Sequence, residues 1–213
     1  MRKRAEHKAP TWPEKLALAC PACNHAFPLM GVRPDGGLLF QCFTHRWFSA
    51  DSWTAVPQVV DTHHKHHRPM DPAVRRDFID GAISVLLRAG AANDDLILQS
   101  TTPDQSMFFL LTPDGDGALL TAVNSRRHHC PVCVLRPLDV AHEQVLFDMG
   151  FGPAGDGKNY ITESLPTTTA ALRGAAETVF AEVYEEPDDF GLWALFRPPA
   201  LAEAFYLAWS FRP

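Results

Sequence analysis

Long apolar runs are missing from this chain. None approaches the ~18 residues needed to cross a bilayer. No apolar stretch follows the basic residues at the start either, so neither a membrane span nor a secretory leader is expected. A basic excess is missing too. The formal net charge is −6, whereas a protein that holds nucleic acid through its phosphates usually carries the opposite sign. The common catalytic signatures are absent: there is no G-x-S-x-G, no P-loop, no G-x-G-x-x-G after a strand and no H-E-x-x-H. These absences favour a cytoplasmic protein that is not an enzyme.

What is present is ordinary globular material. Of 213 residues, 46% are hydrophobic and 21% charged, enough for one sizeable core and a small appendage. The 18 prolines cluster between blocks and mark stiff connectors. The five cysteines are odd in number, and four of them form two C-x-x-C pairs. Without a leader, that favours metal or thiol chemistry over a disulfide framework.

The blocks divide as follows. Residues 1–18 read as a basic arm, 19–53 as a small metal-binding module, 54–70 as a His-rich linker and 71–213 as an α+β domain, with an insertion at about 126–137. In the arm, Arg2, Lys3 and Arg4 form either a solvated tail or a contact for phosphate or an acidic partner. In the linker, "THHKHH" is free to bind metal or to sense pH, but nothing preorganises it.

The α+β domain opens with Asp71 as a helix cap and Pro72 in the first turn. An apolar stripe from Val74 to Leu87 follows, and Gly90 stops it. Strands are expected over 96–99, 106–112 and 118–123, with the turn "TPDGDGA" between the last two. A helix over 138–149, a strand near 158–164 and a helix over 167–186 come next. A buried strand over 191–196 and a short aromatic helix that exposes a patch close the chain. Asp114 and Asp116 read as turn residues, "GFGPAGDGKNY" as a loop and "EEPDD" as a solvated helix end.

The first cysteine cluster, "CPACNHAFPLMGVRPDGGLLFQCFTH", places Cys20, Cys23, Cys42 and His45 as C-x2-C, eighteen residues, C-x2-H. Two residues between ligands let both side chains of a pair reach one ion, at about 2.3 Å for sulfur. Four ligands close a tetrahedron, which makes a structural rather than a catalytic zinc site. The stretch resembles zinc ribbons. His25 is an alternative fourth ligand. Arg33, Arg46 and Trp47 lie on or near this module and offer a nucleic-acid contact.

The second pair, in "HHCPVC", has four readings. Cys130 and Cys133 bind a second zinc with His128, His129 or His142; they join the first site; they form a redox dithiol; or they are inert thiols. Pro137 so soon afterwards makes a poor thioredoxin-type geometry.

Residues 138–197 carry an apolar helix, a Gly-Phe-Gly turn, an Asn-Tyr pair, and a long helix ending in "VFAEVY" before a strand. This stretch resembles proteins related to type III secretion chaperones. The resemblance implies helices packed on one face of an antiparallel sheet and a protein-binding module with no catalytic residues. Nothing in that family requires the CPVC insertion. Three functions are therefore carried forward: a zinc-binding adaptor for a protein partner, a zinc-ribbon nucleic-acid regulator, and a thiol redox or metal sensor using Cys130 and Cys133.

Overall fold

The computed structural model describes residues 28–42, 47–51, 58–60, 69–101, 107–124, 138–155 and 157–210. Four short strands come first: β1 (Leu29–Val32), β2 (Leu38–Gln41), β3 (Trp47–Ala50) and β4 (Gln58–Val60). Helix α1 (Pro72–Ala89) leads to β5 (Asp95–Ser100), β6 (Phe108–Pro113) and β7 (Leu119–Asn124). Helix α2 (Val140–Asp148), β8 (Gly152–Pro153) and β9 (Asn159–Thr162) follow. Helix α3 (Thr169–Thr178) runs into a π-helical turn (Val179–Val183), then β10 (Leu192–Arg197) and α4 (Pro199–Ser210). No helix among the described residues is long and apolar enough to cross a membrane.

The α+β class is as expected, and the strands form one antiparallel sheet in the order β4-β3-β2-β1-β10-β5-β6-β7-β9-β8. The strands expected to stand apart in a small module are instead hydrogen-bonded into this sheet. Strand β1 joins β10 through Gly31↔Leu195 and Val32↔Ala194. The stretch read as a linker contributes β4, paired to β3.

The local grammar explains most elements. Asp71 caps α1 by accepting from the backbone N–H of Ala73 (2.7 Å) and Val74 (3.3 Å). Asp114 shapes the β6–β7 turn by accepting from the N–H groups of Asp116 and Ala118, and Gly117 takes φ +83° there. The glycine-rich segment read as a loop is a small hairpin, with β8 paired to β9 and Ala154 N–H donating to Asn159 O at 2.8 Å.

The core lies on one face of the sheet. Leu38, Phe40, Phe48, Leu96, Leu98, Phe109, Leu111, Leu192 and Phe196 point into it, following the two-residue period of a strand. Helices α1 and α4 pack against the central strands β1, β5 and β10. The C-terminal helix buries its aromatic face rather than exposing it. Phe205 is 1% exposed and lies edge-on to Phe78 at 5.1 Å between ring centres. The Trp209 indole donates to Pro34 O at 3.0 Å. Burying one such ring stabilises by roughly 1.5–3 kcal/mol.

Two features depart from the helical pattern. The stripe of α1 holds Arg75 instead of Val74: Arg75 is 7% exposed and Val74 42%. The Arg75 guanidinium donates to the carbonyls of Asp188 (2.7 Å) and Phe190 (3.1 Å) and covers the Phe190 ring at 3.9 Å. The backbone at the end of "EEPDD" is thus docked onto α1, while Glu185, Asp188 and Asp189 stay exposed as expected and Glu186 is buried. Second, the last turn after α3 is π-helical, with Tyr184 N–H donating to Val179 O. Beyond it, the Tyr184 hydroxyl donates to Phe108 O (3.0 Å) and accepts from Asn124 N–H (2.9 Å).

Candidate functional site

Of the residues expected to hold zinc, Cys42 alone is described; Cys20, Cys23 and His45, with the alternative His25, lie outside the described residues. Cys42 directly follows β2, is 2% exposed and belongs to the core cluster. Beside it, Gln41 N–H donates to Pro28 O at 3.4 Å. The chain coming from Cys23 therefore enters the sheet next to Cys42. Five residues of chain, from Cys23 to Pro28, reach at most roughly 18 Å. The connection from β2 to β3, which contains His45, starts from the same end. Cys42 is the one member of the expected thiolate–imidazole set that the structure places. Among the described residues, no group of three or more His, Cys, Asp or Glu is arranged to hold a metal ion.

Cys130, Cys133, His128 and His129 lie outside the described residues, as do Arg2, Lys3, Arg4 and Arg46. His142 is described, in the first turn of α2. Its Nδ1 lies 2.8 Å from Asp139 Oδ1 and its Nε2 3.4 Å from Glu185 Oε1. Both ring nitrogens therefore face carboxylates. The same Asp139 oxygen caps α2, accepting from the N–H groups of Ala141 and His142. The Asp139 carboxyl is held below its usual range, first by the His142 backbone N–H and then by the nearby imidazole. Sequence reasoning saw His142 as a ligand because its partner Glu185 is remote in the chain.

Arg33 is engaged rather than presented. It is 7% exposed, its Nε lies 2.9 Å from Asp35 and its Nη2 3.3 Å from Asp51, and its guanidinium sits 4.9 Å from the Trp193 ring centre. It makes no open nucleic-acid face with Trp47.

The face of the sheet turned away from α1 and α4 is also apolar. An antiparallel sheet commonly exposes a polar second face. Here Leu39 is 1% exposed and Trp193 4%, yet neither belongs to the helix-covered cluster. A cavity of about 190 Å³ lies on this side, lined among the described residues by Met30, Trp47, Ile97, Phe108 and Leu195, with Gln99 and Arg197. Trp47 is on β3 and Phe108 on β6, five strand spacings apart. A flat sheet would separate them by ~24 Å. Their meeting at one small cavity means that the sheet curls towards this face. Gly31 sits at the bend, where a Cβ would come 2.5 Å from Leu195 Cδ2. No motif signalled this cavity, because its walls come from five strands spread along the chain.

A larger, open groove of about 500 Å³ runs between α1, the start of α3 and α4, past Ser84, Arg88, Thr169 and Trp209. Two of its polar groups are paired, Ser84 Oγ lying 3.4 Å from Thr169 Oγ1 and Arg88 Nε donating to Ser84 O, whereas Asp80 Oδ1 in its wall has no hydrogen-bond partner among the described residues.

The surface of α2 is different. Val140 is 80% exposed and Phe147 45%, on a helix whose inner side buries Leu146. On β9, Ile161 is 38% exposed. Only one other large hydrophobic residue among those described, Val74, is exposed.

The chain matches no known family model, no curated protein and no solved structure.

Proposed function

We propose that this chain is a non-enzymatic adaptor that binds a protein partner, with a zinc ion tying down the end of the sheet that carries Cys42. The observation that carries the reading is the outer side of α2. Val140 and Phe147 stand seven residues apart on a helix, hence on one side of it, and both are exposed to water. Large apolar side chains left out together usually mark a surface that another protein covers. The partner is accordingly a protein that buries an apolar patch against α2. The Asp139–His142–Glu185 cluster ties the inner side of the same helix to the turn after α3 and so holds this surface in place.

Zinc held by Cys20, Cys23, Cys42 and His45 supplies folding energy at this end, where the first three strands have only four residues each. No chemistry at substrate is assigned to it.

The test compares wild type with Val140→Asp/Phe147→Asp, each immobilised at equal zinc content and equal melting temperature. A protein retained by wild type and lost by the double variant is expected. The reading fails if both chains retain the same proteins. It also fails if wild type retains none and instead turns over a thiol–disulfide substrate through Cys130 and Cys133.

A further inference from the structure

The cavity on the curled face does not belong to the α2 surface or to the zinc ligands, and its chemistry is specific. Among the described residues its walls are mostly apolar, Met30, Trp47, Ile97, Phe108 and Leu195, with Gln99 as a polar wall residue and Arg197 at its border. A space so lined offers water few hydrogen-bonding partners. An engineered apolar cavity of about 150 Å³ stays dry and takes up benzene. By proportion, 190 Å³ accommodates about eight non-hydrogen atoms.

One cation borders it. Arg197 ends β10, is exposed, and forms no ion pair among the described residues. Its cross-strand neighbour is Asp95, the obvious candidate to neutralise it. The Asp95 carboxylate instead accepts from the Thr112 hydroxyl at 2.7 Å. The guanidinium's donors are therefore available at the edge of an apolar hole, which is the usual layout of a small-ligand site: an apolar body and one orienting polar group.

We propose that this cavity binds a small amphipathic carboxylate, with a hydrocarbon or aromatic body of about eight non-hydrogen atoms inside and its carboxylate on Arg197. Arginine's planar fork matches a carboxylate with two parallel hydrogen bonds. Asp95 sets a limit on affinity by opposing the ligand's charge, so selectivity rests on the direct guanidinium contact.

The experiment titrates the full chain with octanoate and with octan-1-ol, which share a chain length and differ in charge. Calorimetry reads the affinity. Octanoate is expected to bind roughly tenfold or more tightly than octan-1-ol. Arg197→Gln should abolish that preference and leave octan-1-ol binding as it was. Ile97→Trp should weaken both probes by filling the hole, with the thermal midpoint showing whether that variant is folded. If it is not, Arg197→Gln alone decides. Absence of binding by either probe would reduce the cavity to a packing void and overturn the proposal. So would equal affinity for the two probes, octanoate binding that survives Arg197→Gln unchanged, or binding to a folded Ile97→Trp chain at wild-type strength.

Discussion

Removing a single oxygen tests the account of how the helical layer grips the sheet. Tyr184→Phe keeps the ring, and with it the contact to Phe180 at 5.7 Å, but deletes the hydroxyl that serves Phe108 O and Asn124 N–H. Tyr184 is 3% exposed and Asn124 2%, so water does not simply replace the lost partner. A buried polar group deprived of its bond costs about 1–3 kcal/mol. For a chain of this size each kcal/mol moves the melting midpoint by about 2–4 °C, giving a fall of roughly 2–12 °C. Urea unfolding followed by circular dichroism should show a lower midpoint with an unchanged slope. Hydrogen exchange should place the loss at the Asn124 amide. A midpoint within 1 °C of wild type, with that amide equally protected, would refute the reasoning. It would mean that the hydroxyl bridge contributes nothing net.

Other outcomes follow from the same geometry. Arg75→Ala should destabilise by about 2–4 kcal/mol in urea unfolding, since two charge-assisted bonds and a ring contact go together. Arg75→Met, which restores the packing, should cost less. The Asp139 carboxyl, with a folded pKa below the unfolded value near 3.9, contributes stability that is present above that value and is lost as pH falls through the folded one. The difference in melting midpoint between wild type and Asp139→Asn should therefore shrink below about pH 4, and a constant difference would count against it. Native mass spectrometry should find zinc in the wild-type chain and less of it in Cys42→Ser. In Cys130→Ser/Cys133→Ser, a fall from two zincs to one would make the second pair a structural site.

Some of this fold was legible because its causes are local. Asp71 and Pro72 announce a helix start, and "TPDGDGA" announces a turn, through bonds that span only a few residues. Leu172, Ala176, Val179, Phe180 and Val183 recur at helical spacing, and each is 0% exposed. The periodicity could not reveal the π-helical turn, because one widened turn leaves the apolar stripe intact. Strand β1 escaped for a different reason. Its pattern does not alternate, since the curl of the sheet covers both faces: all four of its residues are buried. The burial of Arg75 carries no local signal, because the carbonyls that receive it come from a segment remote in the chain. The candidate site divides in the same way. Ligand spacing is a local signal and made Cys42 visible. The partners of His142, and the alliance of Trp47, Ile97 and Leu195 around one cavity, exist only after long-range pairing.

The position of β10 has a consequence for how the chain is made. It lies between β1 and β5, so among the described residues the β1–β4 strands are joined to β5–β9 through one of the last strands to be made. During synthesis the N-terminal strands and the β5–β9 meander must wait as two separate pieces. Each presents an unpaired inner edge, next to apolar side chains such as Leu39 and Leu98, until residues 192–197 arrive. Such open edges pair readily with other copies. The final strand thus acts as a keystone, and a chain truncated before Leu192 is predicted to aggregate rather than to form a smaller folded protein.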